Sequence, residues 1–187
     1  MTHSILRFVS GAFVLSILFL PGIVRALPDD SLKVVIIRHG EKPARGDHLS
    51  CQGENRSRQL PAVLYEKFNK PNYVYVPSLS LGTSTGHARM FQTVAPFAIR
   101  HNLTVNSKFD ARNYRDVSAD VQKKTGTVLL VWEHSAIPPL ARQLGVKSPP
   151  DWKDNDFDSI WVITYAKGNA SLALDKEGLN PSPECSP

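Results

Sequence analysis

Arg38-His39-Gly40-Glu41-Lys42 closes one apolar run of the chain, and Glu133-His134-Ser135 closes another. A neutral imidazole is a competent nucleophile once its second nitrogen is pinned by a hydrogen bond. A guanidinium stays charged and grips phosphate oxygens in pairs. Phosphoryl transfer asks for little beyond an in-line nucleophile and fixed cations around the equatorial oxygens. His39, His134, Arg38 and Arg89 supply those groups, and Gly40 lets the backbone turn sharply and approach an oxyanion closely.

Taken singly, each residue has an ordinary explanation. An Arg-His-Gly triplet is a weak motif, a lone strand-end histidine is commonly a hydrogen-bonded surface residue, and Arg89 alone would be a solvated helix residue. Glu41 and Glu133 would be plain partners for the arginines. The joint placement is what points to a site, and that placement depends on the elements that carry it.

Leu32–Arg38 holds Val34, Val35, Ile36 and Ile37 without polar alternation, as does the apolar run Thr127–Trp132. Such runs read as central strands of a parallel sheet, buried on both faces. Tyr73–Val76 and Val105–Phe109 read as further strands. Helical patterns cover Ser50–Phe68, where Pro61 bends the helix or marks its start, and His87–Arg100, interrupted by Pro96. Two shorter helices are expected over Asp116–Lys124 and over Ile137–Leu144, the second closed by Gly145. Ser159–Tyr165 and Ala170–Leu174 flank Gly168-Asn169 as a hairpin. Alternating strands and helices predict an α/β fold, a three-layer αβα sandwich about a mostly parallel sheet. Sites in such sheets lie beyond the carboxyl ends of the strands, where His39, His134 and Arg89 all fall.

Residues 1–26 read as a secretory leader. Arg7 precedes an uncharged run from Phe8 to Val24, Pro21-Gly22 breaks it, and Val24-Arg25-Ala26 offers small residues for cleavage after Ala26. The run is shorter than the ~20 residues that a membrane span needs. The expected organisation is a leader over 1–26, one domain over 27–174 and a Pro-rich tail over 175–187, in a secreted or periplasmic protein without a stable membrane span. Setting the leader aside leaves 20 basic against 17 acidic side chains with no block of like charges, so no nucleic-acid groove is indicated. Cys51 and Cys185 form no Cys-x-x-Cys pair, and an oxidising compartment would let them bond to each other. Asn55, Asn102 and Asn169 head Asn-x-Ser/Thr triplets, which become acceptors in a glycosylating host. No His-x-His, His-Glu-x-x-His or clustered Asp pattern points to a metal.

At these residues the chain resembles the histidine phosphatase (phosphoglycerate mutase-like) superfamily. The resemblance rests on the strand with Arg38-His39-Gly40-Glu41, on Leu49-Ser50 and Gly53, on Arg89 before Gln92-Thr93, and on His134 after an apolar strand. It covers residues 32 to 145 in the family's order. Arg38 to Pro43 is similar to the start of small bacterial-type members. The resemblance implies a phosphoglycerate mutase-like fold, no cofactor and a small phosphorylated substrate. It also implies phosphoryl transfer to His39, with Arg38, Arg89 and His134 forming the phosphate pocket. The chain departs from acid phosphatases of this superfamily, because Ser135 rather than Asp follows His134. It also lacks the insertions that enclose a mutase substrate.

The acid that protonates the leaving group is therefore open. Glu41 is the first candidate, Asp110 the second and Glu133 the third, with Asp116 and Asp120 lying in the same stretch as Asp110. Glu133 beside His134 would favour the charged form of that imidazole. The functional expectation is a metal-independent phosphatase acting on phosphate esters or phosphohistidine. The alternatives are a phosphotransferase or mutase of the same mechanism, and a phosphoanion-binding module without turnover.

Overall fold

Four consecutive β-branched residues, Val34 to Ile37, cannot alternate between core and water and must be covered on both faces. The computed structural model describes residues 27–80 and 85–185 and covers them so. The strands are β1 (Lys33–Arg38), β2 (Tyr73–Tyr75), β3 (Val105–Asn106), β4 (Thr127–Trp132), β5 (Ser159–Ala166) and β6 (Asn169–Lys176). They form one sheet in the order β3-β2-β4-β1-β5-β6. The β1–β4, β2–β4 and β2–β3 pairs are parallel, whereas β5 runs antiparallel to both β1 and β6. The expected mostly parallel α/β architecture is the observed one. The expected leader (1–26) and part of the loop before Gly86 lie outside the described residues.

Helices α1 (Cys51–Phe68) and α2 (Ala88–His101) cover one face, and α3 (Tyr114–Val121) and α4 (Ile137–Gln143) cover the other. Val35, Ile37, Leu129 and Val131 pack with Leu60 and Leu64 of α1 and with Val94 and Phe97 of α2. Val34, Ile36, Val128, Leu130 and Trp132 point the other way, onto Val117 of α3 and Ile137 and Leu140 of α4. Each such fully buried aliphatic or aromatic side chain contributes roughly 1.5–3 kcal/mol relative to exposure. Both faces of β1 and β4 are thereby fixed, and so are the points where these strands end.

Several boundaries differ from the sequence expectation for local reasons. Ser50 is the N-cap of α1, its hydroxyl accepting from the Gly53 amide at 3.2 Å, and Pro61 lies buried inside a continuous 18-residue helix. Packing against the sheet carries α1 through the one missing amide. Asn113 caps α3 by accepting from the Asp116 amide, which starts that helix at Tyr114 rather than Asp116. In the hairpin, Ala166 pairs with Asn169, so the turn is Lys167-Gly168, with φ of 51° and 76°. Positive φ at both positions is what a two-residue turn between twisted strands requires.

The segment after residue 174 is not a loose tail. β6 runs to Lys176, and Cys185 is bonded to Cys51 at the start of α1. Asn55 Nδ2 donates to the Ser182 and Glu184 carbonyls at 2.9 and 2.7 Å, and Gln52 Nε2 donates to the Pro181 carbonyl. Asn55 is thus buried and bonded, which withdraws the first of the three glycosylation triplets.

Candidate active site

The register of the two central strands builds the site. Arg38 is the partner of Trp132, and the His39 amide donates to the Trp132 carbonyl at 3.0 Å. The residues just beyond, His39 on one strand and Glu133-His134 on the other, therefore emerge side by side at the carboxyl edge.

His39 is buried, with 3% of its surface exposed. Its Nδ1 lies 2.7 Å from the Gly40 carbonyl oxygen. A carbonyl only accepts, so Nδ1 carries the proton and Nε2 keeps its lone pair. Burial is the main reason the imidazole titrates low. The Gly40 bond opposes it, and the positive charges of Arg38, Arg89 and His134 add to it, leaving a pKa of about 4. The ring is neutral at physiological pH, as a nucleophile must be. The turn that carries it is held from two sides. The Gly40 amide donates to Thr93 Oγ1 at 2.8 Å, and that hydroxyl donates to the Arg89 carbonyl at 2.8 Å. On the other side the Ser50 amide donates to the Glu41 carbonyl at 2.9 Å. A Cβ on Gly40 would stand 2.9 Å from the Gly53 carbonyl oxygen, so close packing onto α1 requires glycine there.

Arg38 is buried with 1% exposure. Its Nη1 donates to the carbonyls of Asp154 at 2.6 Å and Asp156 at 3.1 Å, and the Phe157 ring centroid lies 3.8 Å from Cζ. Burial draws its pKa down to about 10, against the pull of Asp154, Asp156 and Glu41, so it remains a cation. Its Nε is buried without a partner. His134 has the same feature at Nδ1, while its Nε2 lies 3.0 Å from Asp154 Oδ1. The unpaired Arg38 Nε–H fits an acceptor oxygen of an anion, and His134 Nδ1 does so once it carries a proton. Glu133 and Asp154 do favour the charged form of His134, but burial first, and then Arg38, outweigh them and lower its pKa. Arg89, near the start of α2, donates from Nε to the His48 carbonyl at 3.2 Å and from Nη2 to the Gly46 carbonyl. It is near enough for its charge to act on His39 while holding the loop that precedes α1.

Glu41 does not stand free as an acid. Arg56 grips both of its oxygens, Nε at 2.9 Å from Oε2 and Nη2 at 2.7 Å from Oε1, and Arg56 Nη1 reaches Glu177 at 2.5 Å. The carboxylate that leaves the strand beside His39 is engaged in this buried cluster. Asp110, Asp116 and Asp120 are also engaged elsewhere. Asp110 accepts from the Arg112 amide, Asp116 bonds Asn113 and Arg115, and Asp120 accepts from Tyr75 Oη at 2.6 Å. Glu133 Oε1 lies 3.5 Å from Ser135 Oγ.

His39, Arg38, Arg89 and His134 are thus brought to one edge, and Glu41 is turned aside. Sequence reasoning missed Asp154, Phe157, Arg56 and Glu177, which approach from parts of the chain without an interpretable motif. Thr93, four residues after Arg89, belongs to the Gln92-Thr93 pattern, but nothing in the sequence signals that it holds Gly40. Among the described residues no group of three or more His, Cys, Asp or Glu is arranged to hold a metal ion. No helix there is long and apolar enough to cross a membrane.

No family model matches the chain, and no curated protein does either. Solved structures do match. One is the protein histidine phosphatase SixA complexed with tungstate, at TM-score 0.59 and 20% identity, covering 78% of this chain and 97% of that one. A second is a candidate SixA phosphohistidine phosphatase from Agrobacterium tumefaciens, at 0.55 and 15%, covering 82% and 100%. A third is the mycobacterial glucosyl-3-phosphoglycerate phosphatase Rv2419c with inorganic phosphate, at 0.51 and 15%, covering 76% and 95%. The chain has the fold of the histidine phosphatase superfamily.

Proposed function

We propose that this chain, built on the histidine phosphatase fold, is itself a metal-independent phosphatase that carries the phosphoryl group on His39. The observation that supports this most is the pinned imidazole. Nδ1–H is committed to the Gly40 carbonyl, burial keeps the ring neutral, and Nε2 is left with its lone pair. In-line attack by Nε2 on phosphorus would break the P–O bond to the leaving alcohol and leave a phosphohistidine, which water then hydrolyses. Arg38 Nε and Arg89 would face the equatorial oxygens and offset their charge, with His134 beside them within charge range of His39. Guanidiniums that stay charged remove the need for a divalent cation at this step.

Two of the solved neighbours contain a phosphate or a phosphate-like oxyanion, by their descriptions, which fits a small phosphorylated substrate for this chain. The test is hydrolysis of a panel of phosphate esters and phosphohistidine by the protein from Leu27 onward, with and without EDTA. Turnover unaffected by EDTA and abolished in His39→Ala is expected. Activity lost in EDTA and restored by a divalent metal contradicts the reading.

We also propose that the chain is exported and begins at Leu27 once matured. The Cys51–Cys185 bond supports an oxidising compartment. The intact mass of exported protein checks this, and retention of Met1 contradicts it.

A further inference from the structure

Phosphoryl transfer to His39 leaves an alkoxide that needs a proton; Arg56 holds Glu41, Asp110, Asp116 and Asp120 are bonded away from the site, and Glu133 meets Ser135 at 3.5 Å. Asp156 is no freer: its Oδ2 accepts from Ser159 Oγ at 2.6 Å, and its Oδ1 from the Asp158 and Ser159 amides. Asp154 differs. Its side chain is 95% exposed, so packing does not dictate where the carboxylate goes, yet Oδ1 lies 3.0 Å from His134 Nε2. Its backbone is held by the site itself, since its carbonyl accepts from Arg38 Nη1 at 2.6 Å. The Phe157 ring under the same guanidinium fastens the other end of this short loop. One buried arginine therefore places both the pocket and the carboxylate that meets the second histidine.

A carboxylate accepts, so Asp154 selects the His134 form with a proton on Nε2 and leaves Nδ1 to act. That Nδ1 is buried without a partner. We propose that Asp154 is a positioning residue that makes His134 the acid and base of the reaction. The proposal rests on the phosphatase reading above. A bound phosphate dianion, together with Asp154, charges His134 at both nitrogens. As His39 Nε2 bonds to phosphorus and the P–O bond to the leaving group breaks, Nδ1–H passes its proton to the departing oxygen. His134 becomes neutral and keeps its Nε2 proton on Asp154. In the second half, Nδ1 takes a proton from the attacking water as the His39 N–P bond breaks, which returns His134 to the cation and releases phosphate. The groups facing His134 are Arg38 from β1, Asp154 from the loop before β5, and neighbouring Glu133; His39 lies within charge range.

The test compares Asp154→Ala, His134→Gln and the double variant on an alkyl phosphate and on nitrophenyl phosphate, whose leaving group needs no proton. Asp154→Ala should slow the alkyl ester about 100-fold more than the nitrophenyl ester. The double variant should be no slower than His134→Gln alone. Equal losses on both esters, or fully additive losses, overturn the proposal. A second arm does not depend on turnover: ring-nitrogen NMR of the protein with and without tungstate. The neutral protein should carry the His134 proton on Nε2, tungstate should bring the second proton, and Asp154→Ala should mix the two neutral forms. If the wild type hydrolyses none of the esters yet shows this pattern, the phosphatase reading fails and the pairing stands. A wild-type His134 protonated on Nδ1 refutes the pairing.

Discussion

The Gly40 amide donates to Thr93 Oγ1 at 2.8 Å, and this one bond ties the turn that carries His39 to α2. Because Thr93 in turn donates to the Arg89 carbonyl, the turn that carries His39 and the second arginine are set by the same hydroxyl. Thr93→Val removes that hydroxyl while keeping the shape, and it strands a buried amide. The expected loss is about 1–3 kcal/mol of stability and on the order of tenfold in kcat/KM from misplacement. Thr93→Ser should restore most of both. Denaturant unfolding and steady-state kinetics check this, and an unchanged Thr93→Val protein would count against the role given to the bond.

Glu177 is buried against Arg56, with Oε1 lacking a partner. Burial outweighs the attraction of Arg56 and pushes its pKa up to about 8. A group whose folded pKa is raised takes up a proton on folding between its unfolded value, about 4.5, and 8, so its contribution to stability declines as pH rises through that window. His39 acts oppositely, with a depressed pKa, but only between about 4 and 6.5. From pH 6.5 to 8 the Glu177 effect should therefore be the visible one. Glu177→Gln should flatten the fall in unfolding free energy over that range. A wild-type protein with no excess slope relative to Glu177→Gln would mean that the carboxyl is ionised throughout.

The Cys51–Cys185 bond closes residues 134 apart in sequence and holds the last described segment against the first turn of α1. In the chain-entropy model a loop of this size stabilises by up to about 5 kcal/mol. Reduction, or Cys51→Ser with Cys185→Ser, should lower the unfolding midpoint substantially. Arg56, Glu41 and Glu177 should keep the segment partly docked, so activity should fall far less than stability. Two reactive thiols in the denatured, unreduced protein would show that the bond is not formed.

Much of the site could be read from sequence because it depends on where two apolar strands end. Val34–Ile37 and Val128–Trp132 are covered on both faces, so their ends place His39 and His134 at one edge without knowledge of any contact. Arg89 follows from the same logic, at the start of the helix after β2. What was not legible has a common cause. Glu41 is claimed by Arg56, fifteen residues on, and by the approach of Glu177 to Arg56 from the far end of the chain. Asp154 and Phe157 reach Arg38 across more than a hundred residues, from a loop whose own sequence signals only turns. Partners brought together by folding leave no local pattern. The net lowering of the His134 pKa is hidden for the same reason, since neighbouring Glu133 is visible in the sequence whereas the burial and the Arg38 charge are not.

The central claim is that a phosphoryl group rests on His39, and rapid-quench labelling tests it most directly. The protein is mixed with a labelled phosphate donor, quenched in base to preserve phosphohistidine, and mapped by mass spectrometry. Label should appear on His39 within one turnover and be absent, together with activity, in His39→Ala. His134→Gln should still label at His39, but far more slowly when the donor's leaving group needs a proton. Label on His134 in the His39→Ala protein, with turnover retained, would contradict the account.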